Sequence, residues 1–195
     1  MHLMSMEVES YGISDIGLSR ANNEDVWAEL PDIRFYALAD GMGGHQAGEV
    51  AAKEAVLELC DIIDALFTQD PKPSAEKISQ ILKQAFVDAN HWVRSLAQQH
   101  PELAGMGSTL CCFCVLKESL IYAHVGDSRI YRFRSALTQL TEDHSLRQEL
   151  LSTGDLNREE AAAFPFKNVI TRAIGTNPLV EPYVAITPVQ LGDIY

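Results

Sequence analysis

Residues 107–133 read GSTLCCFCVLKESLIYAHVGDSRIYRF. Three runs rich in β-branched, aromatic and other apolar residues, Ser108–Leu116, Leu120–Val125 and Arg129–Phe133, are separated only by the turn-forming triplets KES and GDS. Connections this short can join antiparallel strands. A parallel crossover needs about a dozen residues, so the spacing predicts an antiparallel meander and disfavours a doubly wound parallel sheet.

Upstream, residues 26–30 and Phe35–Ala39 read as short strands, the second stopping at Asp40 and the glycine-rich run GMGG. From Ala52 the apolar positions Ala52, Ala55, Val56, Leu59, Ile62, Ile63 and Leu66 recur at helical spacing, which predicts an amphipathic helix over roughly 47–67. TQDPKPS breaks it, and Ser74 is a candidate N-cap for a second helix with the stripe Ile78, Ile81, Leu82, Ala85, Phe86, Ala89, Val93 and Leu96. Downstream, residues 143–151 and 157–163 read as short helices, followed by Asn168–Ile174 and a last strand near Pro182–Thr187. No internal repeat or low-complexity segment interrupts this order.

A chain of 195 residues, 47% of them hydrophobic, can bury one sizeable core, so a single domain over 1–195 is expected. The formal charge of −12 argues against phosphate-backbone binding, and nucleic acid is not an expected partner. No run approaches the ~20 apolar residues of a membrane span, and the opening MHLMSMEVES lacks a basic segment followed by an apolar one, so a cytoplasmic location off the membrane is expected. Cys60, Cys111, Cys112 and Cys114 match neither a disulfide framework nor paired zinc ligands and read as buried, reduced thiols.

Carboxylates stand where the chain turns: Glu24 and Asp25 before a strand, Asp40 after one, and Asp127 in a tight turn. Such a carboxylate, next to glycines that let backbone carbonyls approach, suits a hard cation with oxygen ligands such as Mg2+ or Mn2+. Each has a plainer reading, surface charge for Glu24–Asp25 and a turn former for Asp127. Asp40 is the strongest candidate, because an apolar strand running into Asp-Gly-Met-Gly-Gly implies a loop with unusual backbone angles. The run Gly41, Gly43, Gly44 could also suggest a nucleotide cradle. A GxGxxG count from Gly41, however, reaches Gln46 in place of the third glycine, and GxxxxGK[ST] is absent. Asp40 repels a phosphate unless a cation lies between them. Arg20, just ahead of the acidic pair, can take a phosphate bidentately or can be an ordinary solvated arginine. His45, His124 and His144 lie in no zinc-ligand spacing.

The ordered segments SDIGLSRANNED, FYALADGMGGHQAGEVAA, GSTL, HVGDSRIYRF, LTQLTEDHSL and NVITRAIG together resemble the metal-dependent, type 2C serine/threonine protein phosphatases in their compact bacterial form, over residues 12–175. The resemblance implies an α+β sandwich of two mostly antiparallel sheets flanked by helices, with a two-metal centre between the sheets. It also implies hydrolysis of phosphoserine and phosphothreonine in proteins by a metal-activated water, opposing a serine/threonine kinase. Carried over motif by motif, Asp40 bridges two Mn2+ or Mg2+ ions and the Gly41 carbonyl ligates one of them. Glu24 and Asp25 line the second site, Arg20 holds the substrate phosphate, and Asp127 helps bind a third, weaker ion. Met42 stands where eukaryotic members carry a histidine proposed as general acid. The family also continues past the point matching Tyr195 into further strands, an SDGL aspartate and an Asp-Asn motif. A C-terminally truncated form is therefore expected, with a non-catalytic, phosphoprotein-binding pseudophosphatase as the alternative.

Overall fold

Two consecutive helices, each apolar along one stripe, need a flat apolar surface to cover, and an antiparallel sheet with one apolar face supplies it. The computed structural model describes residues 7–18, 20, 22–43 and 46–195, with Gln46 described in its backbone only. Met1–Met6, Gly44 and His45 lie outside the described residues. The helices are α1, Gln46–Gln69, and α2, Ala75–Gln99. Ser74 caps α2 as its position suggested, its hydroxyl accepting from the Lys77 amide at 3.2 Å.

The large sheet contains β1 (Asp25–Leu30), β2 (Phe35–Met42), β3 (Gly107–Ser108), β4 (Leu110–Val115), β5 (Ser119–Val125) and β8 (Tyr183–Pro188). Its order is β1-β2-β4-β5-β8, with β3 paired to β2, and every pairing is antiparallel. A second sheet is the hairpin of β6 (Tyr131–Phe133) and β7 (Leu137–Gln139). Two short helices, α3 (Leu146–Thr153) and α4 (Arg158–Ala163), follow. The expected α+β architecture of antiparallel sheets flanked by helices is therefore the observed one.

Strand alternation sorts side chains into two populations. Phe35, Ala37, Ala39, Leu110, Cys112, Cys114, Ile121, Ala123 and Val125 face the helices and form one core with Val56, Leu59, Ile63, Leu82, Phe86 and Val93. Cys111, Val115, Leu120 and Tyr122 face the other way and pack against Ile130 and Leu140, which flank the β6–β7 hairpin. All four cysteines are free and buried. No described helix is long and apolar enough to cross a membrane.

Two local expectations change. The GDS turn does not close a hairpin: β5 pairs β4 and β8, while β6 pairs β7, so the turn carries the chain from one sheet to the other. The reason is competition for an edge. β8 occupies the side of β5 that β6 takes in a meander. Second, β2 does not stop at Asp40; Gly41 and Met42 continue it by pairing with Ser108 and Gly107, and Gly43, at φ 130°, ends it. Residues 168–174 join the rest of the fold through isolated bridges, Ser145 to Ile170 and Ser108 to Ile174.

Candidate metal centre

On the face of the sheet turned away from the helices, β1 and β2 place Asp25 directly opposite Asp40. Like charges opposed across an antiparallel pair repel. The Asp40 carboxyl is accordingly pushed up to about 6, by partial burial first and by Asp25 next, while Arg20 pulls it down and Asp127 adds to the rise. Arg20, Asp25, Asp40 and Asp127, separated by up to 107 positions in the chain, therefore share one electrostatic neighbourhood.

Glu24 joins through its backbone and its side chain. Its carbonyl accepts the Gly41 amide at 3.0 Å, and its carboxylate lies against Gly48 in the first turn of α1, where the helix N-terminus favours negative charge. Gly41 must be glycine for a packing reason: a Cβ there overlaps the Gly48 carbonyl. Glu24, Gly41 and Gly48 are thus stacked with no room for another side chain. Arg20 and Asp25 are exposed; Glu24, Asp40 and Asp127 are half-buried.

The backbone around Asp40 is held closely. Its amide donates to Thr109 Oγ1 at 2.9 Å, and its carbonyl accepts from the Thr109 amide at 2.9 Å and the Ser108 hydroxyl at 3.0 Å. The Asp127 turn is gripped from its far side by residues 143 and 144. His144 accepts the Gly126 amide on Nδ1 at 3.2 Å and donates its own amide to the Gly126 carbonyl at 3.0 Å. Asp143, buried, takes both branches of the Arg129 guanidinium at 2.8 and 2.6 Å. His144 stacks on His124 with ring centroids 4.7 Å apart. Burial and the neighbouring His124 push its imidazole down to about 4, so it is neutral.

The sequence reading did not assign Ser108, Thr109, Asp143 or His144 to the site. The available signal was their position inside GSTL and TEDHS, next to the segments carrying the carboxylates. Their contacts span 14–69 positions of sequence, which no local pattern reveals.

The donor set is all oxygen, acidic, and short of neutralising cations, which fits a hard divalent ion. Among the described residues no three acidic, histidine or cysteine side chains converge on one point. Mg2+ and Mn2+ tolerate this, because such ions commonly keep several waters and take only one or two carboxylates from the protein. Two clefts, of about 550 and 440 Å³, share Arg172 and are lined by none of the six residues read from the sequence as ligands or anion holder.

The family model for Protein phosphatase 2C matches residues 5–150. The serine/threonine phosphatase stp of Listeria welshimeri is 38% identical over 187 residues, covering 92% of this chain and 72% of that protein. Among solved structures, the Mycobacterium tuberculosis serine/threonine phosphatase PstP/Ppp superposes with a TM-score of 0.82 at 36% identity, over 93% of this chain and 73% of that one. The catalytic domain of serine threonine protein phosphatase PstP, solved in complex with 2 manganese ions, gives a TM-score of 0.77 at 36% identity, over 93% and 72%. The chain belongs to the protein phosphatase 2C family, a family of metal-dependent phosphatases.

Proposed function

We propose that this chain hydrolyses phosphoserine and phosphothreonine esters in proteins, using two or three Mn2+ or Mg2+ ions held at Asp40, Asp25, Glu24, the Gly41 carbonyl and Asp127. The observation that carries the reading is the Asp25–Asp40 pair, two carboxylates opposed on neighbouring strands with Arg20 as the cationic group acting on Asp40. A cation held by these two carboxylates would convert their repulsion into a ligand set. Divalent ions held by these residues would supply Lewis-acid charge and an activated water nucleophile.

The chain's own residues do the rest. Arg20, exposed at the rim, is free to swing onto the phosphate and stabilise charge on its non-bridging oxygens. Asp40, fixed through both backbone atoms, holds its carboxylate still while the substrate arrives. Gly41 keeps α1 close, so that the helix start and Glu24 approach the same point. The exposure of Arg20 and Asp25 suits a phosphate presented on a protein segment rather than a small molecule that must be enclosed. In the cell this reading places the chain in the cytoplasm, opposite a serine/threonine kinase.

One observation favours a second reading, a non-catalytic binder of phosphorylated partners: no three ligand-type side chains converge among the described residues. Turnover separates the two. The chain is incubated with a phosphothreonine peptide in millimolar Mn2+ and in chelator. Phosphate release that requires the metal supports the phosphatase reading; a folded chain that binds the peptide and releases nothing supports the second.

A further inference from the structure

Thr109 lies between β3 and β4 and is buried, with 1% of its surface exposed. The ladder between β2 and β4 runs from Phe35 opposite Cys114 to Leu38 opposite Cys111 and resumes with β3 at Gly41 opposite Ser108. In the gap the Asp40 amide finds the Thr109 hydroxyl at 2.9 Å, so a side-chain oxygen takes the place of a ladder carbonyl. The same hydroxyl is 2.7 Å from Ser128 Oγ, one residue past Asp127. The Thr109 methyl and Cβ occupy the space a Cβ on Gly126 needs, so Gly126, at φ 105°, lies flat on this threonine. Thr109 therefore touches both backbones that carry the central carboxylates: that of Asp40 in β2, and both neighbours of Asp127.

We infer that Thr109 is a positioning residue that sets the separation of Asp40 and Asp127 through one hydroxyl shared between the Asp40 amide and Ser128 Oγ. The inference rests on the metal-site reading above. Its chemistry is selective. Serine keeps the shared hydroxyl and loses the methyl, valine keeps the shape and loses the hydroxyl, and Ser128→Ala removes the other end of the bridge while leaving the Asp40 contact intact. A role in packing alone makes serine the harmful change; a role through the hydroxyl makes valine the harmful one.

The test compares the wild-type chain with Thr109→Val, Thr109→Ser, Ser128→Ala and Asp40→Asn. Mn2+ binding is followed by the electron-spin-resonance signal of free Mn2+, with melting temperature in chelator as the check on folding. The Mn2+ concentration at half-maximal turnover is recorded separately from kcat. Thr109→Val is expected to weaken Mn2+ binding by about 10- to 100-fold, the range for partners that orient metal ligands. Ser128→Ala is expected to weaken it in the same direction, and Thr109→Ser to restore most of the affinity. If Thr109→Val does not fold, Ser128→Ala decides alone. Unchanged Mn2+ binding in a folded Thr109→Val or Ser128→Ala chain, or a Thr109→Ser chain as impaired as the valine variant, overturns the inference. Wild type that binds no Mn2+, or binding that survives Asp40→Asn, overturns the metal-site reading and this inference with it. Loss of binding in Asp40→Asn beside unchanged binding in the folded Thr109 and Ser128 variants overturns the inference alone.

Discussion

The two faces of the six-stranded sheet are built from the same strands and do different work. Toward the helices, Phe35, Ala37 and Ala39 of β2, Leu110, Cys112 and Cys114 of β4, and Ile121, Ala123 and Val125 of β5 present small or apolar groups, all buried. On the opposite face the neighbouring positions carry Asp25 facing Asp40, then Trp27 facing Leu38, then Glu29 facing Tyr36. At the β1–β2 end of the sheet one face removes apolar surface from water and supplies stability, while the other, which buries Cys111, Leu120 and Tyr122 farther along, concentrates like charges that Arg20 offsets only in part. A single-residue slip of β2 exchanges the two sets, so the helix-facing core fixes the register that the acidic cluster needs. At that end of the sheet stability and chemistry are thus separable by face, although they share a backbone.

The separation predicts opposite signatures for mutations. The largest effect belongs to Asp40→Asn, expected to bring metal-dependent phosphate release below detection while the melting temperature in chelator stays at or above wild type, since a half-buried, repelled carboxylate is removed. Calorimetry and a phosphate-release assay on the same sample check both halves. Phe86→Ala, at a fully buried position of α2 in the helix-facing core, is expected to cost about 3–5 kcal/mol in urea unfolding. Any residual folded fraction of that variant is expected to keep its Mn2+ requirement.

A smaller loss is expected from Asn90→Ala. This buried amide accepts from the Gly175 amide at 2.8 Å and donates to the Asn177 carbonyl at 3.0 Å, tying α2 to the 175–178 loop. Leaving those backbone groups unpaired is expected to cost about 1–3 kcal/mol, read from the same urea midpoints. The pH test concerns His144, whose folded value of about 4 lies below its ordinary 6.5. A depressed value means that the unfolded chain binds the extra proton between those limits. His144 therefore contributes its full stability above pH 6.5 and loses it as pH falls toward 4. His144→Asn should flatten this dependence relative to wild type in chelator. The comparison between the two proteins cancels the opposite slope of Asp40, whose raised value makes the fold less stable as pH climbs from 3.8 to about 6. The mildest prediction is chemical: the thiols of Cys60, Cys111 and Cys114, pushed up to about 11 to 12 by burial, are expected to react with a disulfide reagent at pH 8 only after denaturation.

Much of the helix-facing half was legible in the sequence because it rests on periodicity. The stripe from Ala52 to Leu66 and the cap at Ser74 lie where α1 and α2 place them. Pattern reading failed at the crossing between sheets. GDS has the composition of a hairpin turn, but which edge of β5 it leads to is decided by β8, more than fifty residues later. Asp40 stood out in the sequence because Asp beside glycine at the end of an apolar run is chemically odd. The supports of the carboxylates were missed because Thr109, Asp143 and His144 act through tertiary hydrogen bonds whose partners have no fixed spacing. His144 in particular shows no ligand spacing in one dimension and is a backbone clamp on Gly126 in three.

The proposed function requires the acidic cluster of Asp25 and Asp40 to be a cation site and not merely a strained surface. Mn2+ titration of the wild-type chain against Asp40→Asn, by calorimetry at neutral pH without substrate, tests it most directly. Saturable binding to wild type that disappears or weakens by orders of magnitude in the variant is expected. Equal binding to both chains, or none to a folded wild-type chain, contradicts it.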